Sequence, residues 1–422
     1  MQKYQNMRQL NLFLLSTFLF FSFTFTSFAQ KRAELGKTPP MGWNSWNWYG
    51  KQEINEKKIR EVIDAIAKNG LKDAGYNYII VDGGWRDNKL DSDGKLLADP
   101  VKFPSGMKAL ADYAHSKGLK FGVHTVPGTH DCGGDPVGGF NREETHVKQF
   151  VDWGLDFVKV DLCRQKGDTC KSCEKTKTGW SEGSIHDTYF KWSKLLNNCG
   201  RDMIFNISAY KFREWNPEVC NMSRTTFDIQ SKRQKEGAIF NSEKRENRSF
   251  MSVMAIAELN NKYASYAGKG YWNDPDMLVT GEQGLTFKEQ QSHFCLWSIM
   301  TAPLFLGNDP LSMSKEEKQL VLNKEIISID QDTTEQGIMV KQDPDFQIWM
   351  KKLANNQVAL LVLNLNASEN KSITIDFKEL GLRSKLLLND VLNQKKIGKF
   401  ENSYTVQLTP HKCSFLKIKE IN

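Results

Sequence analysis

This sequence has no block of like-charged residues. Its net charge of +7 over 422 residues comes from lysines and acids interspersed along the chain. The basic stripe that nucleic-acid binding needs is missing, so no nucleic-acid partner is expected. No GxGxxG follows the first strand-like run, which removes the usual signature of a dinucleotide-binding open sheet. The CKSC at 170–173 has no second CxxC and no suitably spaced histidine pair to complete a zinc site. There is no internal repeat and no low-complexity linker. Beyond the N-terminus, no hydrophobic stretch is long enough to span a bilayer.

The N-terminus departs from that composition. Lys3 and Arg8 precede an apolar run from about Leu10 to Phe25, and Ser27-Phe28-Ala29 follows. Small residues at the two positions a signal peptidase reads give the expectation of a cleaved secretory signal over residues 1–29. The mature chain would start at Gln30 and be secreted or periplasmic, with no membrane attachment after cleavage. An uncleaved anchor is the alternative, since the run is near the lower length limit for a spanning helix. All eight cysteines lie in the exported part, where disulfides persist. Cys170 and Cys173 read as a disulfide or as free thiols in a loop insertion.

What is present is alternation. From Thr38 to about Ser328, short strand-like runs alternate with helical patterns. KIREVIDAIAKNG puts Ile59, Val62, Ile63 and Ile66 on one face, with Asn55 as N-cap and Asn69-Gly70 as the stop. MKALADYAHSKG and EETHVKQFVDWG repeat the theme. Between them lie PMGWNSW, YNYIIVDGG, LKFGVHT, DFVKVDLC, MIFNISA, RTTFDI, GYWNDPDML and APLFLGND. Eight strands with helical connections predict an α/β chain, a (β/α)8 barrel over residues 30–330. After about Gln331 the runs become short, β-rich and separated by turn chemistry, without helical spacers. They predict an antiparallel β-sandwich over 331–422.

One run carries two charges where a buried strand should carry none. In FVKVDLC, Val158, Val160 and Leu162 share one face, and Phe157, Lys159, Asp161 and Cys163 the other. A structural ion pair and an active site both account for this. The wider pattern favours the second. Trp46, Asp82, His124, Asp161, Asp228 and Asp276 all gather at the C-terminal ends of strand-like runs, where the catalytic face of such a barrel lies. Two carboxylates across a barrel mouth, among many aromatics, suit glycosidic bond cleavage. One attacks the anomeric carbon or activates a water, and the other protonates the leaving oxygen. Lys159, on the side of Asp161, would keep that carboxylate ionised, whereas Asp228 would need a raised pKa to act as an acid. Trp43, Trp46, Trp48, Trp85 and Trp272 flank these ends as candidate sugar platforms. His124, His130 and Asp131 match no metal spacing, so no metal and no cofactor are expected.

TPPMGWNSW, KVDLC, YWNDPDMLV and TAPLFLGND resemble the α-galactosidases (melibiases) of glycoside hydrolase family 27, over about Thr38 to Pro410. The resemblance implies a barrel with a C-terminal β-sandwich and cleavage with retention through a covalent glycosyl-enzyme. It makes Asp161 of KVDLC the nucleophile and Asp228, four residues after Arg224, the acid/base. It carries Asp276 and Trp46 to sugar binding, and it pairs Cys132 with Cys163. Asp82, His124, Lys159, Ser208, Tyr210 and Arg224 complete the expected carbohydrate site.

The chain also departs from the family. Galactose-specific members usually show two adjacent aspartates where this chain has Asp82-Gly83, a tyrosine where it has His124, and Cys-Glu-Trp where it has Ser208-Ala209-Tyr210. Three readings follow: an exo-acting α-galactosidase; the same mechanism on a β-L-arabinopyranoside, an α-N-acetylgalactosaminide or an isomaltose-type α-glucoside; and a non-catalytic carbohydrate-binding barrel. The linkage, aglycone and oligomeric state have no signal in the sequence. The segment SKRQKEGAIFNSEKRENRSF (231–250) is a candidate for shaping an aglycone site.

Overall fold

The computed structural model describes residues 34–163, 180–231, 240–241, 250–281 and 284–421. The expected signal segment, the CKSC pair and most of 231–250 lie outside the described residues. Among the described residues, no helix is long and apolar enough to cross a membrane.

Eight parallel strands form one sheet: β1 (Met41–Asn44), β2 (Tyr78–Val81), β3 (Lys120–Thr125), β4 (Phe157–Asp161), β5 (Ile204–Ser208), β6 (Met222–Arg224), β7 (Trp272–Asp274) and β8 (Leu304–Leu306). Their order is β7-β6-β5-β4-β3-β2-β1-β8. The ring closes just past β7. The Leu278 amide donates to the Phe305 carbonyl at 2.7 Å, and the Gly307 amide donates to the Leu278 carbonyl at 2.9 Å. All eight strands run the same way, so their C-terminal ends form one mouth.

The helices follow from their sequence signals. α1 (Trp46–Glu53) opens directly after β1. α2 (Glu56–Lys68) is capped by the Asn55 side chain, which accepts from the Lys58 amide. It buries Ile59, Val62, Ile63 and Ile66 completely against the sheet. Full burial of such a side chain contributes roughly 1.5–3 kcal/mol. α3 (Gly106–Ser116), α4 (Glu143–Trp153), α5 (Glu182–Asn198) and α6 (Val253–Asn261) continue the ring. It ends with α7 (Phe287–Ile299), α8 (Lys315–Val321) and α9 (Lys324–Asp330).

The parity of β4 explains its two charges. Val158 and Val160 face outward into the core shared with the helices, while Phe157 belongs to a separate inner cluster with Tyr78, Ile80, Ile204, Met222, Trp272, Met277 and Phe305. This apolar plug fills the barrel. Packing there is tight enough to require Gly122 in β3, since a Cβ at that position would stand 2.6 Å from the Phe157 Cβ. Lys159 and Asp161 point the same way as Phe157 but sit higher, above the plug and open to the mouth.

The C-terminal β-sandwich has a six-stranded antiparallel sheet, in order β9-β10-β11-β16-β13-β14, and a two-stranded sheet of β12 and β15. These strands are β9 (Ile338–Gln342), β10 (Phe346–Leu353), β11 (Gln357–Asn364), β12 (Lys371–Asp376), β13 (Lys385–Asp390), β14 (Lys395–Glu401), β15 (Ser403–Leu408) and β16 (Cys413–Glu420). β11 is apolar without alternation because both its faces are covered. Leu360 and Val362 pack inside the sandwich, and Ala359, Leu361 and Leu363 pack into the core of the barrel. α7 lies at that seam and is buried along almost its whole length. Polar contacts pin the seam as well. His411 Nδ1 is 2.6 Å from Glu289, and Lys351, fully buried, donates to Thr301 Oγ1 at 2.6 Å and to the Ile329 carbonyl at 2.5 Å.

Candidate active site

Four strand ends build one half of the mouth. Asp82 follows β2, and both oxygens of its carboxylate are hydrogen-bonded. Oδ2 accepts from Lys159 Nζ at 2.8 Å and from Asn44 Nδ2 at 2.9 Å, and Oδ1 accepts from the Gly83 amide at 2.7 Å. Burial would raise the Asp82 pKa. Lys159 outweighs it and holds the acid far below the ordinary carboxylate range. Lys159 is likewise held above its usual value, because burial is overcome first by Asp82 and then by Asp161.

The sequence reading had Lys159 serving Asp161 directly. The short bond goes to Asp82 instead, because Lys159 reaches past β3 to the end of β2, two strands along the sheet. Its action on Asp161 is through space. The close partner of Asp161 is His124, whose Nε2 lies 3.4 Å from Oδ2. Oδ1 is buried with no hydrogen-bond partner among the described residues. Burial pushes Asp161 up, but His124 and Lys159 pull it below its ordinary value, so it is ionised.

The other half is organised by Arg224 at the end of β6. Its Nη1 is 3.0 Å from Asp228 Oδ1 and its Nη2 is 3.0 Å from Asp276 Oδ2. Asp228 does not end β6, as alternation along RTTFDI suggests. The strand stops at Arg224, and Asp228 begins a separate two-residue strand with Ile229. The intervening turn carries Asp228 over the mouth, where 43% of its side chain is exposed. It nonetheless lies above the ordinary carboxylate range, through desolvation first and Asp161 next, with Arg224 opposing. Asp276 is raised to about 6, again mainly by burial, with Arg224 opposing and Asp228 adding. Its backbone is left-handed, φ 83°, an unusual conformation for aspartate. The amides of Ile229 and Met277 donate to its carboxylate at 2.7 and 2.8 Å, and the Trp297 indole donates to its carbonyl at 2.7 Å. These bonds hold the strained residue in place.

Both halves face one cavity, lined by Trp46, Asp82, His124, Lys159, Asp161, Tyr210, Arg224, Asp228 and Asp276. Ser208 is buried in β5 and does not line it. Of the five tryptophans read as platforms, Trp46 alone lines the cavity, 40% exposed and in α1 rather than at a strand end. Trp43, Trp85 and Trp272 are core, and Trp48 packs against it. Trp46 faces Gly83, where an added Cβ would stand 3.2 Å from its ring. Tyr210 stacks on Phe227 with ring centroids 5.9 Å apart, and burial beside Asp161 and Asp228 pushes its phenol well above its usual range. Sequence reasoning missed Arg86, Lys51 and Met277, which also line the cavity, as does Phe250 at the end of the segment 231–250. Arg86, directly after GGW, was the one with a signal, a cation following a strand end.

Cys132 and Cys163 are joined in a disulfide that ties the loop after β3 to the end of β4. Among the described residues, the one grouping with metal-ligand proximity is these two cysteines with Asp161. The disulfide leaves it no thiolate to offer. The cavity therefore gathers two aspartates held below their ordinary pKa, Asp82 and Asp161, and two raised above it, Asp228 and Asp276.

Comparison with known proteins agrees. A family model described as alpha galactosidase A (melibiase) matches residues 38–332, and an alpha galactosidase C-terminal beta sandwich domain matches 343–418. Alpha-galactosidase 2 of Arabidopsis thaliana is 37% identical over 385 residues, covering 90% of this chain and 89% of that one. Alpha-galactosidase A of Cellvibrio japonicus is 37% identical over 343 residues, covering 80% and 78%. The crystal structure of alpha-galactosidase I from Mortierella vinacea superposes with a TM-score of 0.81 at 31% identity, covering 90% of this chain and 96% of that one. The chain belongs to the α-galactosidase (melibiase) family of glycoside hydrolases.

Proposed function

We propose that this protein is an exo-acting, retaining glycosidase that removes terminal α-galactoside-type residues from oligo- or polysaccharides. Asp161 is the nucleophile and Asp228 the acid/base. The observation that carries the reading is the opposite displacement of the two carboxylates around one cavity, Asp161 down and Asp228 up. In the first step an oxygen of Asp161 bonds to the anomeric carbon. The glycosidic C–O bond breaks, and the leaving oxygen takes the proton of Asp228. In the second step Asp228, now a carboxylate, takes a proton from water. The water oxygen bonds to the anomeric carbon, and Asp161 departs as a carboxylate. Asp82, Lys159 and Asp276 hold ring hydroxyls, Trp46 and Tyr210 hold apolar ring faces, and Arg224 steadies Asp228 and Asp276.

The test is hydrolysis of a nitrophenyl α-galactoside with NMR detection of the first sugar anomer released. Retention is expected, and release of the β-anomer first would sink the mechanism. A second reading, a changed sugar, is favoured by the ring-binding wall. It offers a single carboxylate, Asp82, already bonded to Lys159 and Asn44, and no side chain at Gly83. A panel of nitrophenyl β-L-arabinopyranoside, α-N-acetylgalactosaminide and α-glucoside separates the two readings.

The barrel unit is proposed to end where α9 ends, at Asp330, before β9 begins at Ile338. Export rests on the composition of residues 1–29 alone, and N-terminal sequencing of secreted or periplasmic protein tests it, with Gln30 expected first.

A further inference from the structure

We propose that Arg86 is a positioning residue for the nucleophile. Its guanidinium fixes which nitrogen of His124 carries the proton, and so the neutral N–H that His124 turns to Asp161. The proposal rests on Asp161 being the nucleophile, as read above.

His124 is wedged between opposite charges. Its Nδ1 stands 3.5 Å from Nη2 of Arg86, and its Nε2 stands 3.4 Å from Oδ2 of Asp161. A guanidinium only donates, and an ionised carboxylate only accepts. Nδ1 must therefore turn a lone pair to Arg86, and the single proton of the neutral imidazole lies on Nε2, aimed at Asp161. The other tautomer would set an N–H against the guanidinium and a lone pair against the carboxylate. A doubly protonated ring would keep the first of those conflicts. Both contacts are at the long end of the hydrogen-bond range, which is common before substrate binds and draws the groups together.

Arg86 is held in place without being neutralised. Its side chain is 3% exposed, with Nη2 3.7 Å from Asp131 Oδ2. Nη1 donates to the His124 carbonyl at 3.4 Å and to Thr125 Oγ1 at 3.5 Å. Nε has no partner among the described residues. Arg224, by contrast, has two carboxylates at 3.0 Å. No carboxylate stands that close to Arg86, so its field is felt at Nδ1.

The consequence falls on Asp161. Oδ2 faces Nε2–H. A neutral donor loses little when the carboxylate charge is consumed, whereas an imidazolium would hold that charge back.

The test is 15N NMR of histidine-labelled protein, with His124 assigned by the signals lost in His124→Gln. A pyridine-like Nδ1 and a pyrrole-like Nε2 are expected in the unsubstituted protein at a pH where it is active. This arm needs no change at the buried arginine. Arg86→Gln, whose amide can donate or accept, is expected to give mixed tautomers and to lower kcat on the order of 10- to 100-fold with KM within about threefold. Arg86→Lys, which keeps a cation, is expected to restore most of kcat and the single tautomer. A pyrrole-like Nδ1 or a doubly protonated ring in the unsubstituted protein overturns the proposal. So does a rise in KM alone for Arg86→Gln, which would make Arg86 a substrate ligand. An active Asp161→Ala would instead remove the nucleophile assignment, leaving the tautomer measurement as it stands.

Discussion

Lys159 and Lys351 both sit in apolar strands, the first with 13% of its side chain exposed and the second fully buried, yet they do opposite things. Lys159, at the barrel mouth, meets the Asp82 carboxylate at 2.8 Å and is held above the ordinary lysine range. Lys351, at the seam with the sandwich, meets a hydroxyl and a backbone carbonyl, and burial pushes it down to about 8. Its nearest acid in charge terms, Asp330, is itself pushed well above its normal range by burial. One region assembles compensated charge around an open cavity. The other tolerates a charge because dispersing it over neutral oxygens closes a seam. A lysine in an apolar strand is therefore no guide to function until its partner is known.

That contrast can be broken from either side. The largest effect is expected at the mouth. Asp161→Ala should lower kcat by roughly 10⁴-fold or more on an aryl α-galactoside, since a covalent step loses its nucleophile. Full activity in that variant would falsify the assignment. Asp228→Ala should be similarly severe on substrates with poor leaving groups and milder on nitrophenyl glycosides, whose leaving oxygen needs less protonation.

Lys159→Met comes next. It strands the Asp82 carboxylate in a buried site, which costs on the order of 3–5 kcal/mol. Chemical denaturation measures that cost, and adding Asp82→Asn should recover much of the stability but not the activity. Lys351→Met should leave kcat and KM unchanged and cost about 1–3 kcal/mol, from the oxygens left unpaired. A loss of kcat there would dissolve the distinction between the two sites.

The two sites should also differ in pH dependence. Asp228 is raised, so its proton is present at low pH and lost as pH rises through its folded pKa. kcat/KM should fall on the alkaline side, above the ordinary carboxylate range. On the acid side it should fall only below that range, as the depressed Asp161 takes up its proton. Lys351 has a depressed folded pKa of about 8 against ~10.4 unfolded. The unfolded chain binds more protons between those values, so stability should rise with pH in that window relative to Lys351→Met. The gain is up to ~3 kcal/mol, and denaturant midpoints across pH would detect it.

Much of this was legible in the chain. The α2 face of Ile59, Val62, Ile63 and Ile66, its Asn55 cap, and the β/α alternation all came from local pattern, because one buried face per element imposes a period. The β11 run VALLVLNL misled less than it could have, since strands covered on both faces lose alternation. The tryptophans were poorly legible. Trp43 and Trp85 fill the core while Trp46 lines the cavity, and nothing local separates them. Asp228 was legible as a residue but not as a position, since a turn after Arg224 carries it away from the strand.

By itself, the sequence determined the barrel, the β-sandwich and the acidic residues of the mouth, because periodicity and strand-end chemistry are local properties. Only the tertiary structure decided who pairs with whom. Lys159 reaches Asp82, seventy-seven positions away, rather than Asp161 two residues on, and His124 stands between Arg86 and Asp161. Such choices depend on distances across a closed ring of strands, where charge interactions fall off with separation in space and take no account of separation along the chain.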